Sequence, residues 1–273
     1  MSEARSRFAA LVAPGVERIP LAEAILWIAK AEYPDLDVES YVDRFDELAA
    51  AARDRISGAT VEQRVTRFND FVFGELGFAG NTGGYADPKN SYLNEVLDRR
   101  LGIPISLSVV YSEIGQRLGL PIVGVGFPGH FLAKWTAEPE VLVDPFHRTV
   151  ITRKECEERL RSNYGPALHF DESMLAPAEP RDVLARWLQN LKQNHLAAGD
   201  LERALAAVDR ILLVKPDDLA ELRDRGLLYL RLECFAPALA DLESFLERAP
   251  FDPMAAGIRA RLPALRESTE RLQ

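Results

Sequence analysis

The chain has 273 residues, of which 47% are hydrophobic and 27% charged; this excludes wholesale disorder and indicates one large or two ordinary domains. Its net charge of −9 argues against phosphate-driven binding of nucleic acid. No apolar run approaches the ~20 residues that span a bilayer, and the first residues lack the apolar segment of a secretory signal, so we expect no membrane association. Only Cys156 and Cys234 are present, which favours a reducing, cytoplasmic location.

The N-terminal part of the chain, residues 6–73, repeats apolar residues at helical spacing and predicts three or four helices. A stretch with five glycines and one proline follows at 77–90. This composition predicts a long loop, and a long loop inside a compact domain is usually functional.

The middle of the chain, residues 91–160, predicts an α+β arrangement. A short helix over 91–100 is expected to end at Gly102 as its left-handed stop, and Pro104 is expected to open a second helix that Gly119 ends. Three strand-like runs follow at 121–127, 130–135 and 140–145. Thr152 and Glu155 have the spacing of a capping box that starts another helix. A helix followed by an antiparallel meander is typical of α+β folds.

From about residue 181 the pattern is helical and repeats with a period of 34 residues. The period relates Ala204 to Ala238 and Pro216 to Pro250, and it is the tetratricopeptide period. Two units and a final helix are predicted; a plain helical bundle with accidental spacing is the alternative. The predicted domains are therefore a helical extension plus an α+β core over 1–175, and helical repeats over 181–273, joined by a proline-containing linker.

The middle block resembles the transglutaminase-like core of the papain-like cysteine enzymes. In that family a G-x-C motif starts a helix, and the patterns L-G-I-P, H-A-W and V-D-P follow. Here the corresponding segments are 102–104 (GIP), 118–121 (LGLP), 130–132 (HFL) and 143–145 (VDP). The resemblance implies that His130 and Asp144 are the histidine and aspartate of a triad, on adjacent strands and within hydrogen-bonding distance.

Proline stands where this family has its nucleophilic cysteine. Pro104 has no group that ionises, and both cysteines fall in other predicted helices, where a cysteine is more often a small buried hydrophobe. Ser106 lies about 200° around the helix from Pro104, whereas Ser108 shares its face but lies about 6 Å further along the axis. Neither serine replaces the thiol without a different geometry.

Three longer segments of the sequence make the family resemblance more specific. Residues 90–111, 124–135 and 142–146 (NSYLNEVLDRRLGIPISLSVVY, GVGFPGHFLAKW and LVDPF) are similar to the bacterial SirB-type family, which has a transglutaminase-like core and a tetratricopeptide tail. That family also carries G-I-P in place of G-x-C. The resemblance implies regulation or protein interaction without an established reaction.

Other residues are candidates with open alternatives. His130 is either a triad relic that lines a cleft or a strand histidine bonded structurally to Asp144. Asp144 is either the triad carboxylate or a residue that ends its strand by capping the turn. Asn90, Asn94 and Glu95 either line a pocket or satisfy a helix N-terminus. His147 with His130 and Asp144 is a conceivable metal set, but no short helical spacing supports it, and we predict no metal and no cofactor.

Two functional hypotheses follow. The first is a non-catalytic, regulatory binding scaffold whose degenerate cleft, including Pro104, Ser106 and Ser108, holds a peptide or small ligand. Its tail would bind a protein partner through the first helix of each repeat unit, around Asn190, Asn194, Arg223 and Leu227. The second is a hydrolase or acyl-transferase that uses His130 and Asp144 with a nucleophile other than cysteine. A hydroxyl or thiol within reach of His130 would favour the second.

Overall fold

The chain forms two compact units that divide between Val183 and Leu184 in a computed structural model, which describes residues 2–56, 58 and 60–270. The first unit is α+β and the second is entirely helical, so the predicted fold class is confirmed. In the described part of the chain, no helix combines the length and the apolar character required to cross a membrane.

The first unit begins with four helices, which confirms the predicted helical extension: α1 (Glu3–Leu11), α2 (Leu21–Ala29), α3 (Val38–Ala52) and α4 (Val61–Asn69). Their starts follow from local chemistry, because Asp37 and Thr60 accept hydrogen bonds from the backbone N–H groups of α3 and α4. A π-helical turn, Asp70–Glu75, extends α4 and was not predicted.

The centre of the first unit is α6 (Pro104–Arg117), which is buried along most of its length. Its polar, less buried residues are confined to Glu113, Gln116 and Arg117 in its last turns, so the rest of α6 lies in the interior and packs against the main sheet. The hydroxyl of Tyr111 on α6 accepts a hydrogen bond from Trp135 Nε1 at 2.9 Å and donates one to Asn69 Oδ1 at 2.8 Å. These bonds satisfy the polar ends of two large buried aromatic side chains.

Two sheets complete the first unit. A short parallel pair joins β1 (Ala79–Gly80) to β2 (Leu101–Gly102). The main sheet is an antiparallel meander in the order β3 (Ile122–Val125), β4 (Leu132–Trp135), β5 (Val141–Asp144) and β6 (Thr149–Ile151). In the sequence, α5 (Leu93–Arg99) lies between β1 and β2, and α7 (Arg153–Tyr164) follows β6. The capping box of Thr152 and Glu155 is present at the start of α7.

Three local predictions are corrected. The left-handed residue that ends α5 is Arg100, not Gly102, which lies in β2. Gly102 is needed for a different reason: a Cβ there would lie 2.5 Å from Ser106 Oγ. The glycine-rich stretch also contains β1 and leads into a 3₁₀ turn, Pro88–Ser91, so it is not structureless. The fourth strand, β6, was not predicted.

The second unit contains helical pairs, as the repeat period predicted. The helices are α8 (Pro180–Ala197, which starts before the division), α9 (Leu201–Val214), α10 (Leu219–Arg231), α11 (Phe235–Arg248) and α12 (Ala255–Glu270). Ala204 and Ala238, one period apart, are both fully buried. At Gly226 on α10 a Cβ would lie 2.8 Å from Leu242 on α11, so the close approach of these two helices requires glycine.

Candidate functional site

The predicted pair of His130 and Asp144 is brought together at one end of the main sheet. Asp144 is the last residue of β5, and His130 lies two residues before β4, its antiparallel neighbour. His130 Nε2 is 2.9 Å from Asp144 Oδ2, and both side chains are buried. The predicted hydrogen bond is present, with His130 in the turn before the strand rather than in the strand itself.

The turn before β4 fixes the imidazole. Gly129 adopts a φ of +68°, which favours glycine, and a Cβ there would lie 2.7 Å from the Tyr164 hydroxyl oxygen. The backbone N–H of His130 donates to the Phe127 carbonyl at 3.0 Å and closes the turn. Residues 127–130 therefore form a tight turn that places His130 next to the carboxylate of Asp144.

Asp144 accepts hydrogen bonds from five groups and is completely buried. Oδ1 accepts the backbone N–H groups of Phe146 and His147, and Oδ2 accepts His130 Nε2, His147 Nδ1 at 2.8 Å and Arg159 Nη1 at 2.7 Å. Burial alone would raise its pKa, but the bonds from His130, Arg159 and His147 outweigh it and hold the pKa well below the usual range. Asp144 thus accepts hydrogen bonds from the backbone of its own turn and from His130, a geometry that fits both the turn-cap and the triad interpretation.

The hydrogen bond to Asp144 also determines which ring nitrogen of His130 can accept a further hydrogen bond. Because Nε2 donates to Asp144 in the neutral ring, Nδ1 carries the lone pair. Nδ1 makes no hydrogen bond with any residue that the structure describes. In triad chemistry this second nitrogen is the one that would take a proton from a nucleophile. The two side chains therefore have the arrangement of a triad histidine and its carboxylate, and a catalytic role for them stays a prediction.

The glycine-rich loop reaches this cluster through aromatic contacts. Phe146 lies edge-on to His130 with ring centroids 6.3 Å apart, and Tyr85 from the loop lies edge-on to Phe146 at 5.9 Å. A Cβ on Gly80 would lie 2.7 Å from the Phe146 ring, so the backbone of β1 passes directly against it. Since Gly80 pairs with Gly102, this series of contacts connects His130 to the segment that starts α6.

The start of α6 holds no nucleophile. Pro104 occupies its first position and is buried. Ser106 accepts a hydrogen bond from Ile103 N and donates one to Ile103 O, which makes it a helix cap. Ser108 donates to the Phe131 carbonyl at 3.3 Å. Both hydroxyls are fully buried, and each is hydrogen-bonded to a backbone group.

The cysteines do not supply the missing group either. Cys156 on α7 is buried in an apolar cluster, and burial raises its pKa to about 11, so the thiol stays protonated at neutral pH. Cys234 is exposed and lies in the second unit.

Three further candidates have distinct positions. Asn90 is fully buried; its amide nitrogen donates to the Gly84 and Tyr85 carbonyls and its oxygen accepts from Asn81, so it organises the glycine-rich loop. Asn94 is also buried, and its Oδ1 has no partner among the described residues. Glu95 forms an ion pair with Lys89 at 4.0 Å. Their roles in binding stay predictions.

The cluster also contains the residues that a metal site would use. One ligand atom each from His130, Asp144 and His147 lies within 4.8 Å of the others, which makes a two-histidine, one-carboxylate set. Arg159 donates to the same oxygen that bonds both imidazoles, and a divalent cation there would face that guanidinium. The arrangement therefore favours a hydrogen-bonded cluster over a metal centre.

The proposed partner residues lie on two helices of the second unit. Asn190 and Asn194 on α8 are partly exposed. Arg223 on α10 bonds Asp224 at 2.8 Å and lies over the Phe245 ring, and Leu227 packs against the apolar cluster of this unit. Arg223 and Leu227 therefore have structural contacts of their own. Lys192 bonds Glu221 and Asp224 and so joins α8 to α10.

Two residues of the cluster were missed from the sequence. Arg159 lies 15 residues after Asp144 in α7, and no motif connects the two positions. Phe146 belongs to the phrase LVDPF, and an aromatic residue directly after V-D-P was the available indication.

Comparison with known proteins agrees with this architecture. Residues 39–189 match the transglutaminase-like superfamily, and residues 191–263 match the tetratricopeptide repeat. The chain is 38% identical to a UPF0162 protein of Xylella fastidiosa over 263 residues, 94% of this chain and 93% of that protein. It is 30% identical to protein SirB1 of Salmonella typhimurium over 246 residues, 89% of this chain and 91% of that protein.

Escherichia coli K12 has another similar protein, the UPF0162 protein YchA, which is 29% identical over 248 residues, 90% of this chain and 92% of the relative. No solved structure matches the chain. The match to the superfamily covers more than half of the chain, and the relatives extend over nearly all of it. The chain belongs to the SirB1/UPF0162 family of transglutaminase-like proteins with a tetratricopeptide tail.

Proposed function

We propose that the protein is a non-catalytic, regulatory binding scaffold. The observation that carries this proposal is the state of the triad: His130 and Asp144 are bonded at 2.9 Å, whereas Pro104 stands at the nucleophile's position. Cysteine chemistry needs a thiolate, and the buried Cys156 is held protonated. The cleft then serves to hold a peptide or small ligand.

The tail supplies the second part of the proposal. Tetratricopeptide repeats generally present an extended surface to a protein partner. Asn190 and Asn194 are partly exposed polar residues on α8, the first helix of the first tetratricopeptide repeat. We place the partner surface around them.

Thiol alkylation tests the absence of cysteine chemistry. We expect iodoacetamide at neutral pH to modify Cys234 in the folded protein, and Cys156 only after unfolding, because Cys156 is buried and its pKa is about 11. Mass spectrometry of the digested protein measures this. An adduct on Cys156 in the native protein, accompanied by loss of a measurable activity, would contradict the proposal.

The partner surface is tested by substitution in the full chain. We expect Asn190→Ala with Asn194→Ala to weaken partner capture in cross-linked pull-downs without lowering the melting temperature. Glu202→Ala, an exposed change on α9, is the matched control. Arg223 is left intact because its contacts with Asp224 and Phe245 would confound the result. Capture that persists at the wild-type level in the double variant places the partner elsewhere.

A hydrolase or acyl-transferase is the second candidate, favoured by one observation. Nδ1 of His130 has no hydrogen bond to a described residue, while Asp144 orients the ring, so the imidazole is arranged as a general base. Because no hydroxyl of a described residue is hydrogen-bonded to this nitrogen, the nucleophile would come from outside the protein, for example as a water molecule. If this candidate is correct, the wild-type protein hydrolyses an ester or amide substrate and the His130→Ala variant does not. Equal rates of hydrolysis by the two proteins would exclude it.

A further inference from the structure

The first unit contains a cavity on a side of α6 that the His130 cluster does not use. Its volume is about 730 Å³, and none of His130, Asp144, His147 and Arg159 lines it. Ligand pockets in proteins usually have volumes of about 300–1,000 Å³. The walls come from α2, α3, α6 and β3 and from the segment around Ala178.

Much of the wall is apolar. It is formed by side chains from five separate segments of the unit, namely Ile19, Leu21, Val109, Val123, Phe131 and Val183. The segment around Ala178 is held in place by backbone pairing, because Ala178 N donates to Gly124 O at 2.8 Å and Pro177 bridges to Val125. The wall is therefore made of fixed elements rather than of a single mobile loop.

One wall residue is a buried polar group without a partner. Ser112 on α6 is only 7% exposed, and its hydroxyl makes no hydrogen bond with any described residue. Leaving such a group unpaired costs about 1–3 kcal/mol, so unpaired groups of this kind need a specific explanation. A water molecule or a polar atom of a ligand would supply the partner, so this hydroxyl marks a polar position in the cavity wall.

The charges at the cavity favour binding of an anion next to Arg18. Arg18 is exposed and has no ion pair or hydrogen bond within the described chain. Arg117, the other cation of the wall, is already neutralised by Glu113 and by Asp46 at 2.8 Å. Glu23 is the opposing charge, and it accepts a hydrogen bond from Trp27 Nε1 at 3.3 Å. Arg18 is thus the cation of the wall available to a ligand.

We infer that this cavity binds a small amphipathic carboxylate, with its apolar chain against the α6 wall and its carboxylate on Arg18. An apolar body with one anionic end matches the apolar wall and the unpaired guanidinium. The negative charge of Glu23 lies at the same cavity and repels the carboxylate of such a ligand. Removing this charge should therefore strengthen binding, as removing the charge of Arg18 should weaken it.

Octanoate and octanol, titrated into the full-length protein by calorimetry, test the inference. Wild type should bind octanoate more tightly than octanol, and Arg18→Ala should weaken octanoate binding about fivefold while leaving octanol unchanged. Glu23→Gln should strengthen octanoate binding. Arg161→Ala, an exposed and unpaired arginine on α7, is the matched control and should have no effect.

Val123→Trp tests the location, because Val123 is half-buried and its enlargement fills the cavity without replacing a core residue. Both ligands should lose affinity in this variant, and its melting temperature should confirm that it folds. Octanoate affinity that is equal in wild type, Arg18→Ala and Val123→Trp would overturn the inference. So would equal loss in Arg18→Ala and Arg161→Ala, since that indicates non-specific attraction to surface charge.

Discussion

Replacing Asp144 by alanine should destabilise the protein by about 3 kcal/mol, because it leaves the buried donors of a five-bond cluster without their acceptor. The carboxylate is completely buried, and the donors include Arg159 and the backbone N–H groups of Phe146 and His147. Urea denaturation of the full chain measures the change. Asp35→Ala, which removes an exposed turn aspartate without a side-chain hydrogen bond in the described chain, is the control and should remain close to wild type.

The same carboxylate gives a pH dependence of defined sign. Its folded pKa lies below the unfolded value of about 3.9. The stability that it contributes is therefore fully present above the unfolded pKa and is lost as pH falls through the folded pKa. Wild type should lose more stability than Asp144→Asn between about pH 5 and pH 2. Parallel curves for the two proteins over this range would show that the hydrogen bonds to Asp144 do not stabilise the fold.

The fold was largely predictable because its determinants are local. The glycine at 119 has the expected left-handed φ of +74°, the Thr152 capping box forms as its spacing predicts, and the alanines one repeat apart are buried. These features depend on residues within one or two helical turns. Gly102 shows where local reasoning fails: its requirement comes from a contact with Ser106 across a turn, and the sequence alone does not distinguish this from a helix stop.

Of the candidate site, only His130 and Asp144 were predictable from the sequence. His130 and Asp144 belong to motifs on neighbouring strands, and strand pairing brings such positions together. Arg159 and Tyr85 reach the cluster from a helix and a loop whose placement depends on packing of the whole unit. Helical spacing also did not reveal that Leu227, predicted to lie on the partner surface, packs against an apolar cluster. Its role in partner binding stays a prediction.

The largest effect in the second unit is expected at Lys192, which joins α8 to α10. Its ammonium is 2.7 Å from Glu221 Oε1 and 3.0 Å from Asp224 Oδ2, and both Lys192 and Glu221 are buried. Burial lowers the pKa of Lys192, but the bonds to Glu221 and Asp224 outweigh it and raise the pKa. This contribution to stability is present below the unfolded pKa of about 10.4 and is lost as pH rises through the folded pKa.

Lys192→Ala should therefore destabilise the protein by about 3 kcal/mol, since it leaves the Glu221 carboxylate buried and unpaired. The double change Lys192→Met with Glu221→Leu removes both charges and should recover much of that loss, because a well-packed apolar pair often replaces a buried ion pair at little cost. Lys154→Ala, which removes an exposed lysine 3.7 Å from Glu158, is the control and should have little effect. Denaturation of the full chain separates the cases. If the double variant is as unstable as Lys192→Ala, an apolar pair does not replace the ion pair, and the charges themselves hold the two helices together.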